Sequence, residues 1–582
     1  MFVSRKLLIA VVLALLVSAA AASAALARHS RTWQVSISTT QLLPGVTYTR
    51  EVDFTPAGPL VLDVVTMPKP DGTVYSLAPV LSNESLAGTE KLTHIEQRLD
   101  TGATTVGIDG DYFNSRTGEP SSILMRSGVL DSQPNAARTS LGIAADGTLR
   151  IGRVSYSGTW EGSAGVRSLS LNAPTGGFVL YTPSWGKSTP AERGVTEVVL
   201  SSFPPTRAET PLDGTVTQVT TRGPVQIPAG GAVLVARGSA NAAQLKTEAP
   251  LGQAMVVRLT LTPDWSGLAS AIGGGPLLVN KGKAVFPAGE MFLPGILNGR
   301  AERGAVGQLS DGRILFVTVE GTSPAYSVGL SSYGLARELV KLGAVTAIGL
   351  GSGAPAGMAF DGQLLTRPSA GVEGHLSDAL VLSYSGVYAA PVAPVLSPNG
   401  DGVGDTEALS YQLARPSTVS ATLSGPGGTT IQLASDAEAA GLHTLTWDGQ
   451  SGGALAPEGV WTLVVTATDD RNVTTTARRT FSLDNTLGSL AVTRGKGGNP
   501  TASFVLSRPA SVVVRVERPS GGGVTTVSKQ TLAAGTYRVT WKGKVGSRWA
   551  PAGLYELRVD ATSVIGTSSL VAPFSLASHR GK

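Results

Sequence analysis

The stretch Val106-Gly107-Ile108-Asp109-Gly110-Asp111-Tyr112-Phe113-Asn114 sets two carboxylates two residues apart, in a glycine turn that follows an apolar run. On extended backbone, residues i and i+2 leave the same face, so Asp109 and Asp111 are expected to point the same way. Carboxyl groups brought together raise each other's pKa and divide into a proton donor and a proton acceptor. The same residues also read as one Asx turn and one exposed acid, and composition alone leaves both readings open.

A second glycine-rich stretch, Gly349 to Gly357, follows the apolar run Val345-Thr346-Ala347-Ile348 and places Gly349, Gly351 and Ala354 in the register G-x-G-x-x-A. A dinucleotide loop needs a helix opening directly on it. Pro355 and Gly357 oppose that helix, and residues 358–365 read as a strand, an Asp-Gly turn and a strand. The G-x-S-x-G at 449–453 follows Trp447-Asp448 with no helix behind it, so it reads as a turn and not a nucleophile elbow. His29, His94, His375, His443 and His579 show no metal-ligand spacing. In "SPNGDGVGD", Asn399, Asp401, the Val403 carbonyl and Asp405 alternate oxygen ligands in the manner Ca²⁺ prefers, and a plain Asx-rich turn is the alternative.

These residues need elements to position them. Among 582 residues the 72 glycines and 15% charged residues favour short strands and turns, and the length predicts three or four domains. Residues 1–27 read as an export signal, with Arg5-Lys6, an apolar stretch at 7–17 and a small-residue cleavage site, an uncleaved membrane anchor being the alternative, so the chain is expected to be secreted or at the cell surface. No later segment has transmembrane length. Arg5 and Lys6 would leave with the signal and lower the formal charge of +5 by two. No dense basic run follows, so nucleic acid is not an expected partner. The absence of cysteine excludes disulfides and thiolate chemistry. Thr93 to Glu96 has the spacing of a capping box opening a short helix, and 332–343 carries Leu335, Leu339 and Leu342 on one helical face before Gly343.

The C-terminal part repeats itself. "YQLARPSTVSATL" from Tyr411 matches "FVLSRPASVVVRV" from Phe504, and "GLHTLTWDG" from Gly441 matches "GTYRVTWKG" from Gly535. Alternating apolar positions between Gly/Pro/Ser turns predict two antiparallel sandwiches at 391–486 and 487–582. They resemble FlgD-type immunoglobulin-like domains, through Trp447, Asp448, Gly449, Pro457, Gly459 and Trp461 in one copy and Trp541, Gly543, Pro551, Gly553 and Tyr555 in the other. The tryptophans are expected in the cores.

"GIDGDYFN" resembles the "G-I-N-G-D-F-F" signature of the phosphodiester glycosidase family, whose namesake removes N-acetylglucosamine capping a mannose phosphate. Five further segments follow in family order, starting at Ala271, Arg303, Ser331, Met358 and Leu376, and the resemblance spans roughly residues 46–384 within a domain at 28–390. It implies an α+β, strand-rich catalytic-type domain that hydrolyses a sugar-1-phosphodiester or a related exocellular or cell-wall glycan linkage. It also implies Asp109 and Asp111 as acids, Arg303 as a phosphate clamp, Gly273, Gly274 and Gly275 as backbone donors, and Tyr112, Asn114 and Ser352 as substrate contacts. The family's "v-D-G-R" falls on Val319-Glu320-Gly321-Thr322, so Glu320 keeps a carboxylate on a longer arm and the arginine is gone. The family's "L-D-G-G-G-S-S-T-M" falls on 350–358, where Gly351 replaces the acid. That loss sets a catalytically inactive glycan-binding protein, or a surface structural protein, beside the hydrolase. Calcium at Asn399 to Asp405 is the one cofactor expected, and the sequence is silent on oligomeric state.

Overall fold

The computed structural model describes residues 33–99, 102–285, 289–353, 356–398, 404–495, 499–519 and 522–577. The predicted export signal lies outside them, as do Asn399, Asp401 and Val403 of the loop expected to take calcium and Ala354-Pro355 of the second glycine-rich stretch. Strand accounts for 54% of the chain and helix for 7%, so the architecture is strand-rich with many antiparallel sheets. Among the described residues no helix is long and apolar enough to cross a membrane. The chain divides into two compact units, residues 1–384 and 385–582.

Two sheets of the first unit carry the site. One is antiparallel and runs Trp33–Leu43, Val46–Thr55, Gly58–Met67, Ile314–Val319, Arg303–Leu309, Ala344–Ser352, Leu277–Asn280, Lys283–Ala284. The other runs Gln363–Leu364, Met358–Phe360, Thr104–Asp109, Asp378–Tyr384, Tyr75–Leu81. Every residue of Thr104–Asp109 is buried, as expected of a strand covered on both faces, where an apolar run replaces alternation. A third sheet pairs Thr139–Ile143 with Ser270–Ile272. Between those two strands the chain builds a closed barrel of strands from Ser155–Gly162 to Ala254–Thr262, filled by Trp160, Leu180, Val198, Leu234 and Leu259.

The helix Ser332–Lys341 forms where its apolar period places it. The Ser331 hydroxyl accepts from the Gly334 N–H at 3.1 Å, and Leu335, Ala336 and Leu339 are buried against Leu62, Val279 and Val317 of the large sheet. The capping box predicted at Thr93 is not formed. The helix is Leu92–Leu99, and the Glu373 carboxylate takes both the Thr93 N–H (2.9 Å) and the Thr93 hydroxyl (2.7 Å). Glu96 turns inward and accepts from the Gly362 N–H at 2.8 Å. An external carboxylate satisfies the free amides of the first turn as well as an internal cap would.

In the second unit, two cores follow one another along the chain. One gathers Leu409, Tyr411, Trp447, Trp461 and Phe481, and the next gathers Phe504, Val514, Trp541, Tyr555 and Leu570. The sequence repeat is also a repeat of hydrogen bonds. The Trp447 indole N–H donates to Gln450 O (2.8 Å), as Trp541 does to Lys544 O (2.9 Å). Trp461 N–H donates to Pro457 O (2.9 Å), as the Tyr555 hydroxyl does to Pro551 O (2.7 Å). The G-x-S-x-G segment is the turn of a hairpin joining Gln450–Ser451 to Ala454–Leu455.

Candidate functional site

Strand ends converge on two buried aspartates. Asp109 is the last residue of Thr104–Asp109, and Asp111 follows Gly110 out of the strand; they are 1% and 4% exposed. Asp378, the first residue of the neighbouring strand, is also buried, and its Oδ1 accepts the Asp111 N–H at 2.7 Å while its Oδ2 accepts the Ser377 hydroxyl at 3.0 Å. Sequence reasoning missed Asp378, although the segment that contains it was recognised, because only the pairing of two distant strands brings it beside Asp111.

Glycines let the backbone close on these carboxylates. A Cβ on Gly110 would lie 1.9 Å from Asp378 Oδ1, one on Gly273 would lie 2.2 Å from Asp111 Oδ2, and one on Gly304 would lie 2.3 Å from Asp109 Oδ1. The second glycine-rich stretch belongs to this wrapping. Gly349 to Ser352 continue the strand Ala344–Ser352, the Gly351 N–H donates to Gly110 O at 2.8 Å, and the Gly357 N–H donates to Asp109 Oδ1 at 3.3 Å. A Cβ on Gly351 would lie 2.9 Å from Asp109 Oδ2.

Each aspartate keeps one oxygen without a hydrogen-bond partner among the described residues, Asp109 Oδ2 and Asp111 Oδ2. Burial, reinforced by the charges of Glu302 and Asp378, pushes Asp109 well above the usual carboxylate range. Burial and Asp378 push Asp111 up to about 8 against the opposing pull of Arg138. Burial raises Asp378 to about 6, held down by the Asp111 N–H and the Ser377 hydroxyl. Burial raises Glu302 to about 7, and its Oε1 also lacks a partner among the described residues.

Residues 206–383 match the phosphodiester glycosidase family. Over this segment the chain carries the features of a phosphodiester glycosidase domain. It contains Glu302, Arg303, Glu320, Ser352 and Asp378, while Asp109 and Asp111 reach it through the strand Thr104–Asp109, which pairs with Met358–Phe360 and Asp378–Tyr384. Among solved structures, a Synechocystis protein shares the fold at 24% identity over 61% of this chain and 68% of that one, with a TM-score of 0.51. The catalytic domain of zebrafish N-acetylglucosamine-1-phosphodiester alpha-N-acetylglucosaminidase, auto-inhibited by its pro-peptide, aligns at 12% identity over 61% of this chain and 83% of that one, with a TM-score of 0.31. No curated protein is significantly similar in sequence.

Around the two aspartates, the other expected residues take distinct positions. Tyr112 lies beside Ser352, and Arg303 pairs with Ser352 across the strands. Arg303 is 3% exposed, and its Nε and Nη2 donate to the carbonyls of Leu330 (2.6 Å), Ile296 (2.6 Å) and Gly299 (2.7 Å). Burial lowers its pKa, and it has no carboxylate partner among the described residues. The Gly275 N–H is taken by Gly349 O at 2.9 Å, and a Cβ on Gly274 would lie 2.7 Å from the same carbonyl. Asn114 is exposed and closes a turn, its Oδ1 accepting the Arg116 N–H at 3.0 Å.

Glu320 stands in a separate group. Arg50 Nη1 lies 3.1 Å from both Glu320 Oε1 and Asp63 Oδ1, and the Arg367 N–H donates to Glu320 Oε1 at 2.8 Å. Burial and the charge of Glu320 push Asp63 up to about 8. Among the described residues no group of three or more His, Asp or Glu side chains is arranged to hold a metal ion.

Proposed function

We propose that the chain is an exported hydrolase that cleaves sugar-phosphodiester or cell-wall glycan linkages at Asp109 and Asp111. The observation that supports this most is the pair of unpartnered oxygens, Asp109 Oδ2 and Asp111 Oδ2, in a glycine-walled site. Buried polar atoms are normally satisfied, and exceptions concentrate where a substrate or a proton completes them. Asp111, protonated at neutral pH, gives its proton to the phosphate oxygen as the bond from that oxygen to the sugar C1 breaks. A water molecule adds to C1 and yields its proton to Asp109 in its ionised form, which burial disfavours, giving a free sugar and a phosphate monoester.

Gly351 need not abolish this chemistry. A side chain at 351 would begin 2.9 Å from Asp109 Oδ2, so the Asp109 carboxyl already occupies the space an acid there would enter. A second reading, glycan binding without turnover, draws on the same Gly351. Phosphorus NMR of the full chain with a sugar-1-phosphodiester separates the two: conversion of the diester resonance to a monoester supports the hydrolase, and an unchanged diester resonance contradicts it. The repeated cores of the second unit are proposed as FlgD-type immunoglobulin-like domains that hold the hydrolase near wall polymers, with Ca²⁺ at Asn399, Asp401, Val403 and Asp405.

A further inference from the structure

We propose that Arg138 is the anion anchor of the site, and that it grips one phosphodiester group, two oxygens at a time, through its Nε–H and Nη2–H edge. Arg138 lies just before the strand Thr139–Ile143 and is 6% exposed. Its Nε and Nη2 have no hydrogen-bond partner among the described residues. These two nitrogens form the side-on edge of the guanidinium, whose parallel N–H bonds match two oxygens of a carboxylate or phosphate. Arg303 has committed that same edge to three carbonyls.

A buried guanidinium with two unmade bonds is costly unless an anion completes it. The protein's own candidate is Asp111, whose Oδ1 stands 3.7 Å from Nη2, beyond hydrogen-bond reach. That oxygen already accepts the Tyr112 N–H at 2.7 Å. Because Asp111 holds its proton up to about pH 8, the cation faces a neutral carboxyl at neutral pH. The guanidinium is fixed from the side, its Cζ lying 4.5 Å from the Tyr112 ring centroid and 4.6 Å from that of Phe292. Aromatic faces stabilise the charge without using its N–H groups. A phosphodiester carries one charge and two non-bridging oxygens, which suits this edge, and it would sit beside the proton of Asp111. The proposal rests on the phosphodiester reading above and adds the residue that binds the phosphate.

The test titrates the full chain with dimethyl phosphate, a diester with no sugar, followed by calorimetry, alongside melting curves. Wild type should bind; Arg138→Met should weaken binding at least tenfold without a lower melting temperature, because it removes unsatisfied buried donors. Arg138→Lys, which keeps the charge but not the fork, should fall between them and serves if the Met variant does not fold. No binding by wild type, or binding by Arg138→Met within twofold of wild type, overturns the proposal. The titration reads no turnover. Arg138-dependent binding with no diester cleavage would therefore remove the hydrolase and keep the anchor, and cleavage with KM unchanged in Arg138→Met would do the reverse.

Discussion

Two groups of buried carboxylates and arginines occupy the first unit, and they are finished differently. Around Arg50, both acids are bridged by one cation: Asp63 and Glu320 each have an oxygen 3.1 Å from Nη1, the Tyr48 hydroxyl donates to Asp63 at 2.7 Å, and Arg50 also reaches the Tyr326 hydroxyl. Around Arg138, the cation stands 3.7 Å from its acid, and Asp109, Asp111 and Arg138 keep atoms without a hydrogen-bond partner among the described residues, as Asp63 Oδ2 does in the first group. Similar residues thus make an ion-paired brace around a partly exposed Arg50 and an open site around a buried Arg138. The difference lies in the ion pairing, 3.1 Å from Arg50 to both of its acids against 3.7 Å from Arg138 to Asp111, and Glu320, read from sequence as a candidate acid, stands in the braced group.

The largest effect should come from the open group. Asp109→Asn should lower kcat on a sugar-1-phosphodiester by about 10³, within the range for losing an acid–base group, with melting temperature maintained. Next, Arg50→Met should leave Asp63 and Glu320 buried without their cation and destabilise the chain by on the order of 3 kcal/mol, measured by denaturant unfolding. Its kcat should change far less than that of Asp109→Asn; equal losses of rate would erase the distinction between the groups.

A smaller effect tests the relation between positions 109 and 351. Gly351→Asp alone should slow the enzyme, since its Cβ would begin 2.9 Å from Asp109 Oδ2. Combined with Asp109→Asn, it should recover at least about tenfold over Asp109→Asn, within the range a positioned acid–base group supplies. The smallest effect is thermodynamic. Asp111 and Asp63 are raised to about 8, Glu302 to about 7 and Asp378 to about 6, whereas unfolded carboxyls titrate near pH 4. The folded state therefore binds more protons through this window, and its stability should fall as pH rises from about 5 to about 8. Asp111→Asn should flatten the fall seen by differential scanning calorimetry.

The sequence made some of this legible and hid the rest for physical reasons. Asp109 and Asp111 stood out because a turn brings their chemistry together within three residues. The Ser332–Lys341 helix and the turn at Asp361-Gly362 followed from local period and turn chemistry, and in the structure both turn residues have positive φ, 52° and 74°. Arg138, Glu302 and Asp378 were missed because only cross-strand pairing and loop packing gather them. Gly349 to Ser352 looked like loop because glycine is a poor strand former, yet pairing with Arg303–Leu309 overrides that preference. The barrel between Arg153 and Ser270 left no signal beyond short strands, since closure is a property of register and not of composition.

The most direct test compares Asp111→Asn with Asp63→Asn in the full chain, reading kcat on a sugar-1-phosphodiester and the melting temperature of each variant. Asp111→Asn should lose about 10³ in kcat without a lower melting temperature, while Asp63→Asn shifts the melting temperature and keeps kcat within about fivefold, as expected of a group that never touches substrate. Equal rate losses in the two variants, or loss only in Asp63→Asn, would contradict it.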